Sequence, residues 1–223
     1  MGYQRVAASV VVAMDGPSGS GKSSTSRGVA TRLGLRYLDT GAMYRALTWW
    51  MLRNDVDVDD PDSVAARAAE PKLESGTDPG VPTITVDGTD VSGPIRGVDV
   101  TSAVSAVSAV PRVRAILLEM QRAIIGAGGI VVEGRDIGTV VAPDAPVKVY
   151  LTAEPDARAV RRTAEMTGAS VEAVQQDLIR RDTLDSARAA APLSVAADAH
   201  HIDTTPYTLD EVVDQVVALV EQA

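Results

Sequence analysis

The sequence has no cysteine and no phenylalanine, and aromatic residues make up only 3% of its 223 residues. The absence of cysteine excludes disulfide bonds and cysteine-ligated zinc sites. The scarcity of aromatic side chains argues against a base-stacking surface for single-stranded nucleic acid, and the net charge of −9 argues against binding to a phosphate backbone. No apolar run approaches the roughly 18 residues that a membrane-spanning helix requires. We therefore expect no nucleic-acid partner and no membrane partner.

The length and the apolar content indicate one folded domain. With 45% hydrophobic residues, the chain can bury the core of an α/β domain and is not globally disordered. The N-terminal residues lead straight into an apolar segment, so we expect no signal peptide and a cytoplasmic protein. The sequence contains neither a coiled-coil heptad nor a large apolar stripe for assembly, and we expect a monomer.

One segment near the N-terminus fits the phosphate-binding pattern G-x-x-x-x-G-K-[ST]. It consists of the consecutive residues Gly16, Pro17, Ser18, Gly19, Ser20, Gly21, Lys22 and Ser23. An apolar run over 9–15 precedes it and a helical pattern over 22–33 follows it, which is the strand–loop–helix context of a P-loop. Its glycines allow successive N–H groups to surround a phosphate. Lys22 can reach the β- and γ-phosphates, and the hydroxyl of Ser23 or of Ser24 can ligate Mg²⁺. The segment therefore predicts ATP and Mg²⁺ as cofactors.

Apolar segments alternate with helical patterns along the chain. Strands are predicted near residues 9–15, 35–38, 130–132, 147–151 and 199–203. This alternation predicts an α/β fold with a doubly wound parallel sheet, whose carboxyl edge is where ligands bind. At that edge Asp39 and Thr40 begin a helix, and either could simply cap it. Glu133 follows a buried strand downstream of the P-loop, a position typical of magnesium-associated acids, and is our candidate for contact with the metal or its water.

The segment from residue 55 to residue 97 differs in character, with crowded aspartates and five prolines. β-Branched residues on both sides of Asp87 and Gly88 predict a hairpin with a type I′ turn, and hence a small β insertion. The aspartates at positions 57, 59, 60 and 62 lack the spacing of an EF-hand. We therefore expect a solvated loop there rather than a calcium site.

Arginine supplies 18 of the 21 basic residues, and its planar fork suits phosphate groups. A helix predicted from Pro155 to Gly168 carries three arginines on one face, which could cover bound ATP or lie in solvent; they are Arg158, Arg161 and Arg162. A second helix, from Ser170 to about Arg188, carries a stripe that could be an ion-pair ladder or an anion clamp; its members are Arg181, Asp185 and Arg188. Arg114 lies in the first turn of a helix, where a cation opposes the helix dipole, so a ligand or an acidic neighbour is expected.

Arg45, Arg114, Arg181 and Arg188 are thus candidates for a second anion site. Two facing anion sites indicate phosphoryl transfer between two phosphates. Such a reaction depends on positioning and charge neutralisation more than on a general base, because the attacking phosphate oxygen is already ionised.

Six blocks of sequence, in the same order, resemble the bacterial cytidylate kinases among the nucleoside monophosphate kinases. The blocks cover residues 16–23, 38–45, 90–96, 111–114, 133–139 and 188–192. The resemblance implies a single P-loop kinase domain over 1–223, with a monophosphate-binding insert at about 60–97 and a helical lid at about 154–168. It implies ATP-dependent phosphorylation of CMP and dCMP to CDP and dCDP by direct in-line transfer.

The resemblance also implies roles for individual residues. Residues expected around the nucleotide monophosphate are Thr40, Tyr44, Arg45, Ser105, Arg114, Arg135, Asp136, Arg181, Asp185 and Arg188. Asp136 is expected to accept a hydrogen bond from the exocyclic amino group of cytosine, and uracil would leave it unpaired. Lys22, Arg158 and Arg162 are expected to act on the transferring phosphoryl group.

Two positions depart from the family pattern. Ser23 and Ser24 stand where relatives often have Gly and Thr, so either hydroxyl could serve Mg²⁺, and Glu133 stands where relatives often have Asp. Two other functions are considered. Another small P-loop metabolite kinase, such as a shikimate-kinase-like enzyme, would show its own sequence blocks, and a GTP-dependent switch would need an N-K-x-D motif; neither is present.

Overall fold

The computed structural model describes residues 9–164, 170–186 and 195–223. The strands in these ranges are β1 (Val11–Asp15), β2 (Arg36–Asp39), β3 (Leu73–Ser75), β4 (Ile84–Val86), β5 (Thr89–Asp90), β6 (Ile130–Glu133), β7 (Val147–Thr152) and β8 (His200–Asp203). The α-helices in the same ranges are α1 (Lys22–Leu33), α2 (Thr40–Arg53), α3 (Pro61–Arg67), α4 (Val98–Ala109), α5 (Pro111–Ile125), α6 (Pro155–Ala164), α7 (Val171–Ser186) and α8 (Leu209–Gln222).

The central sheet of the described chain has five parallel strands in the order β2-β6-β1-β7-β8. The predicted parallel α/β sheet is therefore confirmed. Both faces of the inner strands are covered, which is why they are continuous apolar runs rather than alternating ones. In the register of the sheet, Glu133 pairs with Met14 on one side and with Asp39 on the other. The carboxylates that follow these strands consequently meet at one edge.

A separate hydrophobic core packs on each face of the sheet. On one face, α1 and α8 pack together over the sheet, and a Cβ at Gly28 would lie 2.7 Å from Val213 Cγ2. On the other face, α2, α4 and α5 enclose Leu47, Met51 and Leu117, all of which are fully buried. The two cores hold the sheet between helices and leave its carboxyl edge open for a site.

The segment predicted as a β insertion forms an antiparallel sheet of the strands β3, β4 and β5. Asp87 and Gly88 have φ values of 50° and 79°, as the predicted type I′ turn requires. The expectation of a solvated loop at the upstream aspartates was wrong in one respect. Asp60 accepts hydrogen bonds from the N–H groups of Asp62 and Ser63, and so caps α3, a helix that the sequence analysis did not predict.

Most other predicted elements lie within a few residues of their expected bounds. α1 spans the predicted residues and ends at Gly34, which has a φ of 65°. The Val98–Ala109 segment is a helix that was not predicted. No single described helix could span a membrane by length and apolarity, and α4 with α5 passes that test only as a pair bent by 95°. Arg188 lies outside the described residues, as do the side chains of Arg181 and Asp185.

Candidate active site

The P-loop connects β1 to α1 with three glycines that have positive φ values. Gly16, Gly19 and Gly21 have φ angles of 146°, 79° and 90°. A Cβ at Gly16 would lie 2.1 Å from the carbonyl oxygen of Leu151, so no other residue fits there. The loop ends at the N-terminus of α1, where backbone N–H groups and the helix dipole together favour an anion.

Lys22 is the first residue of α1 and is only 6% exposed. Its Nζ donates a hydrogen bond of 2.6 Å to the carbonyl oxygen of Pro17. Burial lowers the pKa of the Lys22 ammonium, and the positive charge of Arg135 lowers it further. A bound phosphate would offset both effects because it would supply an anionic partner next to the ammonium.

Glu133 lies at the end of β6, 3% exposed, and both of its carboxylate oxygens accept hydrogen bonds. Ser23 Oγ donates to one at 3.0 Å, and the phenol of Tyr37 donates to the other. Burial, with a smaller contribution from the charge of Asp39, raises the pKa of the Glu133 carboxyl. Thr40 Oγ1 donates to the backbone carbonyl of Glu133 at 2.7 Å, which holds the start of α2 against this strand.

These contacts fit a magnesium ion. A hydroxyl and a carboxylate oxygen at the P-loop are hard oxygen ligands, and Mg²⁺ is commonly held by few protein groups together with water and substrate phosphates. The contact with Glu133 involves Ser23, although the neighbouring Ser24 is also exposed at the mouth of the loop. Among the described residues, no group of three or more His, Cys, Asp or Glu side chains could hold a metal ion.

Arg114 and Asp136 form an ion pair beside the carboxyl edge of the sheet. The guanidinium also lies over the ring of Tyr44, 5.6 Å from its centroid, and donates to the carbonyl oxygen of Ser108 at 3.3 Å. Ser108 Oγ in turn donates to the carbonyl oxygen of the buried Ser105. The acidic neighbour expected for Arg114 in its unfavourable helix position is therefore Asp136.

A cleft of about 530 Å³ connects the P-loop with the loop after β6. Its lining includes Lys22, Glu133, Arg45, Arg135 and Arg162. Arg45 Nη1 donates to the carbonyl oxygen of Ile95 and to Thr101 Oγ1 at 3.2 and 3.0 Å, and Arg135 Nη1 donates to the carbonyl oxygen of Gly134 at 3.3 Å.

The structure does not bring every predicted residue to the wall of this cleft. Of the predicted residues with described side chains, those outside its lining are Gly16, Pro17, Thr40, Tyr44, Ser105, Arg114, Asp136 and Arg158. Gly16 and Pro17 contribute backbone contacts to the loop, Gly16 by its close approach to Leu151 and Pro17 by accepting from Lys22. Asp136, the ion-pair partner of Arg114, directly follows Arg135 in the chain, and Arg135 does line the cleft.

Two of the three arginines predicted on one face of α6, Arg158 and Arg161, contact different elements. Arg158 is 6% exposed, forms an ion pair with Asp182 of α7 and donates to the carbonyl oxygen of Ser18 at 3.1 Å. Arg161 donates to the hydroxyl and the carbonyl oxygen of Thr204, at 2.8 Å each. The sequence did not predict the ion pair of Arg158 with Asp182, because the two residues lie on different helices and helical spacing relates only residues of one helix. Arg158 and Arg161 thus contact neighbouring elements, and the partly buried side chains of Arg161 and Arg162 line the cleft.

Two features of the site were missed by the sequence analysis. Asp15, directly before the P-loop, is 5% exposed and accepts two backbone hydrogen bonds. The loop after β8, from Thr204 to Leu209, lines the cleft beside the P-loop. Both could have been found from their positions, because each lies at the carboxyl end of a strand of the parallel sheet.

The family model of the cytidylate kinases matches residues 12–222. The chain belongs to the cytidylate kinase family. It is 60% identical over 215 residues to a cytidylate kinase from Streptomyces griseus subsp. griseus, covering 96% of this chain and 93% of that protein. A cytidylate kinase from Nocardia farcinica is 57% identical over 218 residues, with 96% and 94% covered. The predicted family is therefore confirmed, and the match extends over nearly the whole chain.

Solved structures with low sequence identity share the fold. A shikimate kinase from Acinetobacter baumannii superposes on this member of the cytidylate kinase family with a TM-score of 0.52 at 15% identity, covering 98% of this chain and 97% of that one. At this identity the likeness concerns the fold alone. It supports the P-loop kinase architecture and carries no information about the phosphate acceptor.

Proposed function

We propose that this protein transfers the γ-phosphoryl group of ATP to CMP and dCMP, forming CDP and dCDP. The observation that carries the proposal is one cleft whose lining includes the P-loop together with Arg45 and Arg135. Such a cleft offers one anion site for the donor and another for the acceptor. The names of relatives that are 57–60% identical over nearly the whole chain support the same reaction.

The P-loop is the proposed donor site. Its N–H groups surround the phosphates of ATP, and Lys22 contacts the β- and γ-phosphates. Lys22 Nζ donates to the carbonyl oxygen of Pro17. On binding ATP, the lysine would exchange this hydrogen bond for contacts with the phosphates. Ser23 and Glu133 are the proposed holders of Mg²⁺, directly or through water, with Ser24 as the alternative hydroxyl. When bound, Mg²⁺ would neutralise charge on the β- and γ-phosphates.

The acceptor site is proposed to be built from side chains of several elements. Arg45 and Arg135 bind the monophosphate, and Thr40, Tyr44 and Ser105 complete the surroundings of the nucleoside. Asp136 accepts from the amino group of cytosine while Arg114, held by the same carboxylate, donates to the ring carbonyl and N3. Arg181, Asp185 and Arg188 are proposed to complete the surroundings of the nucleotide.

The transfer itself needs no general base. An oxygen of the acceptor phosphate, already ionised at neutral pH, attacks the γ-phosphorus in line, and the bond from that phosphorus to the β–γ bridging oxygen breaks as ADP leaves. Lys22, Arg158 and Arg162 are proposed to neutralise the charge in the transition state. We further propose that the protein works as a monomer in the cytoplasm, where ATP is supplied.

The test is ADP release from Mg·ATP with a panel of acceptors: CMP, dCMP, UMP, AMP, GMP and shikimate. We expect turnover confined largely to CMP and dCMP. Preferred turnover of shikimate or a purine monophosphate would leave the donor site standing and refute the acceptor site. Hydrolysis or binding of ATP without any acceptor-dependent turnover would refute the kinase proposal.

A further inference from the structure

Asp15 is a buried carboxylate to which the proposed reaction assigns no part. It is the last residue of β1 and directly precedes Gly16 of the P-loop. Its side chain is almost inaccessible to solvent, and burial raises the pKa of the carboxyl to about 6 despite two hydrogen bonds that lower it. A buried carboxylate costs stability, so its contacts need an explanation.

Both oxygens of this carboxylate hold the loop that follows β6. Oδ1 accepts from the backbone N–H of Ile137 and Oδ2 accepts from that of Gly138, each at 2.8 Å. The carbonyl oxygen of Asp136 accepts from the N–H groups of Val140 and Val141 at 2.8 and 3.2 Å. Two sets of hydrogen bonds therefore hold the backbone at Asp136. Its own carbonyl oxygen is bonded within the helical turn 137–141, and the N–H groups of the two residues that follow it are bonded to Asp15.

These contacts extend the pairing of β1 with β6 beyond the ends of the strands. Met14 pairs with Glu133, and the N–H of Gly134 donates to the carbonyl of Met14 at 2.9 Å. Past that point the main chains diverge, one into the P-loop and the other into the loop with Arg135 and Asp136. The side chain of Asp15 is a direct link between the two diverging loops.

The carboxylate of Asp15 is closely surrounded by other side chains and by charged groups. A Cβ at Gly138 would lie 3.4 Å from Asp15 Oδ2 and 3.2 Å from Lys148 Cδ. The carboxylates of Asp15 and Asp136 repel one another, and the ammonium of Lys22 offsets part of that repulsion. Each carboxylate has its own donors, two backbone N–H groups for Asp15 and Arg114 for Asp136.

We propose that Asp15 is a positioning residue for pyrimidine recognition, which holds the backbone of residues 135–138 in place relative to the P-loop so that Asp136 and Arg114 meet the cytosine ring correctly. This inference rests on the proposed function, because it takes Asp136 as the residue that contacts the base. Asparagine cannot substitute for Asp15, since its amide NH₂ would face one of the two backbone N–H groups and leave that donor without an acceptor.

The experiment compares Asp15→Asn with the unchanged protein in three measurements. These are kcat and KM for CMP and UMP, the Kd of ATP by calorimetry, and amide hydrogen exchange over residues 134–141. We expect about a tenfold rise in KM for CMP and about a tenfold loss of preference for CMP over UMP, as one lost buried hydrogen bond implies. The Kd of ATP should change less than about twofold, and exchange at Ile137 and Gly138 should accelerate.

Asp214→Asn is the matched control, because Asp214 is an exposed aspartate paired with Arg32 in the last turn of α1. It should change none of these values. An unchanged CMP-to-UMP preference in Asp15→Asn would overturn the inference. An increase in the Kd of ATP as large as that in KM for CMP would also overturn it, since Asp15 would then support only the P-loop.

Gly138→Ala keeps the question answerable if Asp15→Asn fails to fold. The added methyl would lie 3.2 Å from Lys148 Cδ and in van der Waals contact with Asp15 Oδ2. We expect the small backbone shift that relieves the tighter contact to give the same pattern, at most about threefold. In a double-mutant cycle that combines Asp15→Asn with Asp136→Asn, the effects of the two substitutions on the preference for CMP over UMP should be non-additive. If the unchanged protein did not phosphorylate CMP, the proposed function would fail by itself, and unaltered exchange at Ile137 and Gly138 would separately refute the role of Asp15.

Discussion

The proposed donor half and the proposed acceptor half of the site are built in different ways. The donor half is one continuous loop that would bind phosphate mainly through backbone N–H groups, and glycines at positions 16, 19 and 21 give it its shape. The acceptor half takes side chains from α2, from α5 and from the loop after β6. One of its contacts, the ion pair of Arg114 with Asp136 outside the lining of the cleft, joins residues 22 positions apart in the chain.

The difference shows what each half depends on. A backbone site keeps its geometry as long as the loop can adopt its φ angles, so single side chains outside the loop matter little. A side-chain site exists only after the core has packed, and its buried charges are stable only in pairs. The donor half also has long-range contacts, among them the hydrogen bonds from Arg158 to the carbonyl oxygen of Ser18 and from Ser23 to Glu133.

The largest effect is expected from the charge at the donor half. Lys22→Ala should lower kcat about 1000-fold, as the loss of a main electrostatic contact to the transferring group implies. Thermal unfolding should change little, because a buried ammonium is itself costly to keep. Lys72→Ala is the control, since Lys72 is an exposed lysine paired with Glu74 at 2.9 Å. Turnover near that of the unchanged protein would contradict the P-loop assignment.

The link between the halves should be visible as a pH dependence of stability. The pKa of Asp15 is about 6 in the folded protein and 3.8 in the free carboxyl, so the folded state binds more protons between these pH values. The stability due to this group is full below pH 3.8 and is lost as the pH rises through 6, about 3 kcal/mol in all. Calorimetry from pH 4 to 7 should show Asp15→Asn gaining stability relative to the unchanged protein. Parallel profiles would contradict the buried, protonatable carboxyl.

The acceptor half can be damaged alone through its carboxylate. Asp136→Ala should raise KM for CMP about 100-fold, because it removes the proposed acceptor for the cytosine amino group and leaves the partly buried Arg114 without its ion-pair partner. The Kd of ATP should stay within about twofold. Asp214→Ala, which breaks an exposed aspartate–arginine pair, should leave both constants unchanged. Equal losses for CMP and ATP would show that the halves are not separate.

The smallest effect concerns the contact of Arg158 with the P-loop at the donor half. Arg158→Ala should lower kcat about tenfold, with Arg162 remaining to neutralise part of the charge. Asp182→Ala removes the ion-pair partner of Arg158 on α7 and should lower kcat less than about threefold. Single-turnover measurements on both variants would separate the two roles. Equal decreases would mean that Arg158 acts only by holding α6 against α7.

Local features of the site could be predicted from the sequence because their physical causes lie within a few residues. The P-loop, the helix from Lys22 to Leu33, the type I′ turn at Asp87 and Gly88, and the parallel sheet were all predicted from glycine positions and apolar periodicity. The order of motifs also predicted the family. The helix α3 was missed because the crowded aspartates concealed the capping role of Asp60.

Tertiary structure alone decided which charged groups meet. Arg158 pairs with Asp182 on another helix, Arg114 with Asp136, and Glu133 accepts from Ser23 and Tyr37. Asp15 precedes the P-loop in the sequence, yet its hydrogen-bond donors lie more than a hundred residues away. Such pairs depend on strand order and helix packing rather than on spacing along the chain. Backbone loops therefore follow from the sequence, whereas the pairing of buried charges follows from the fold.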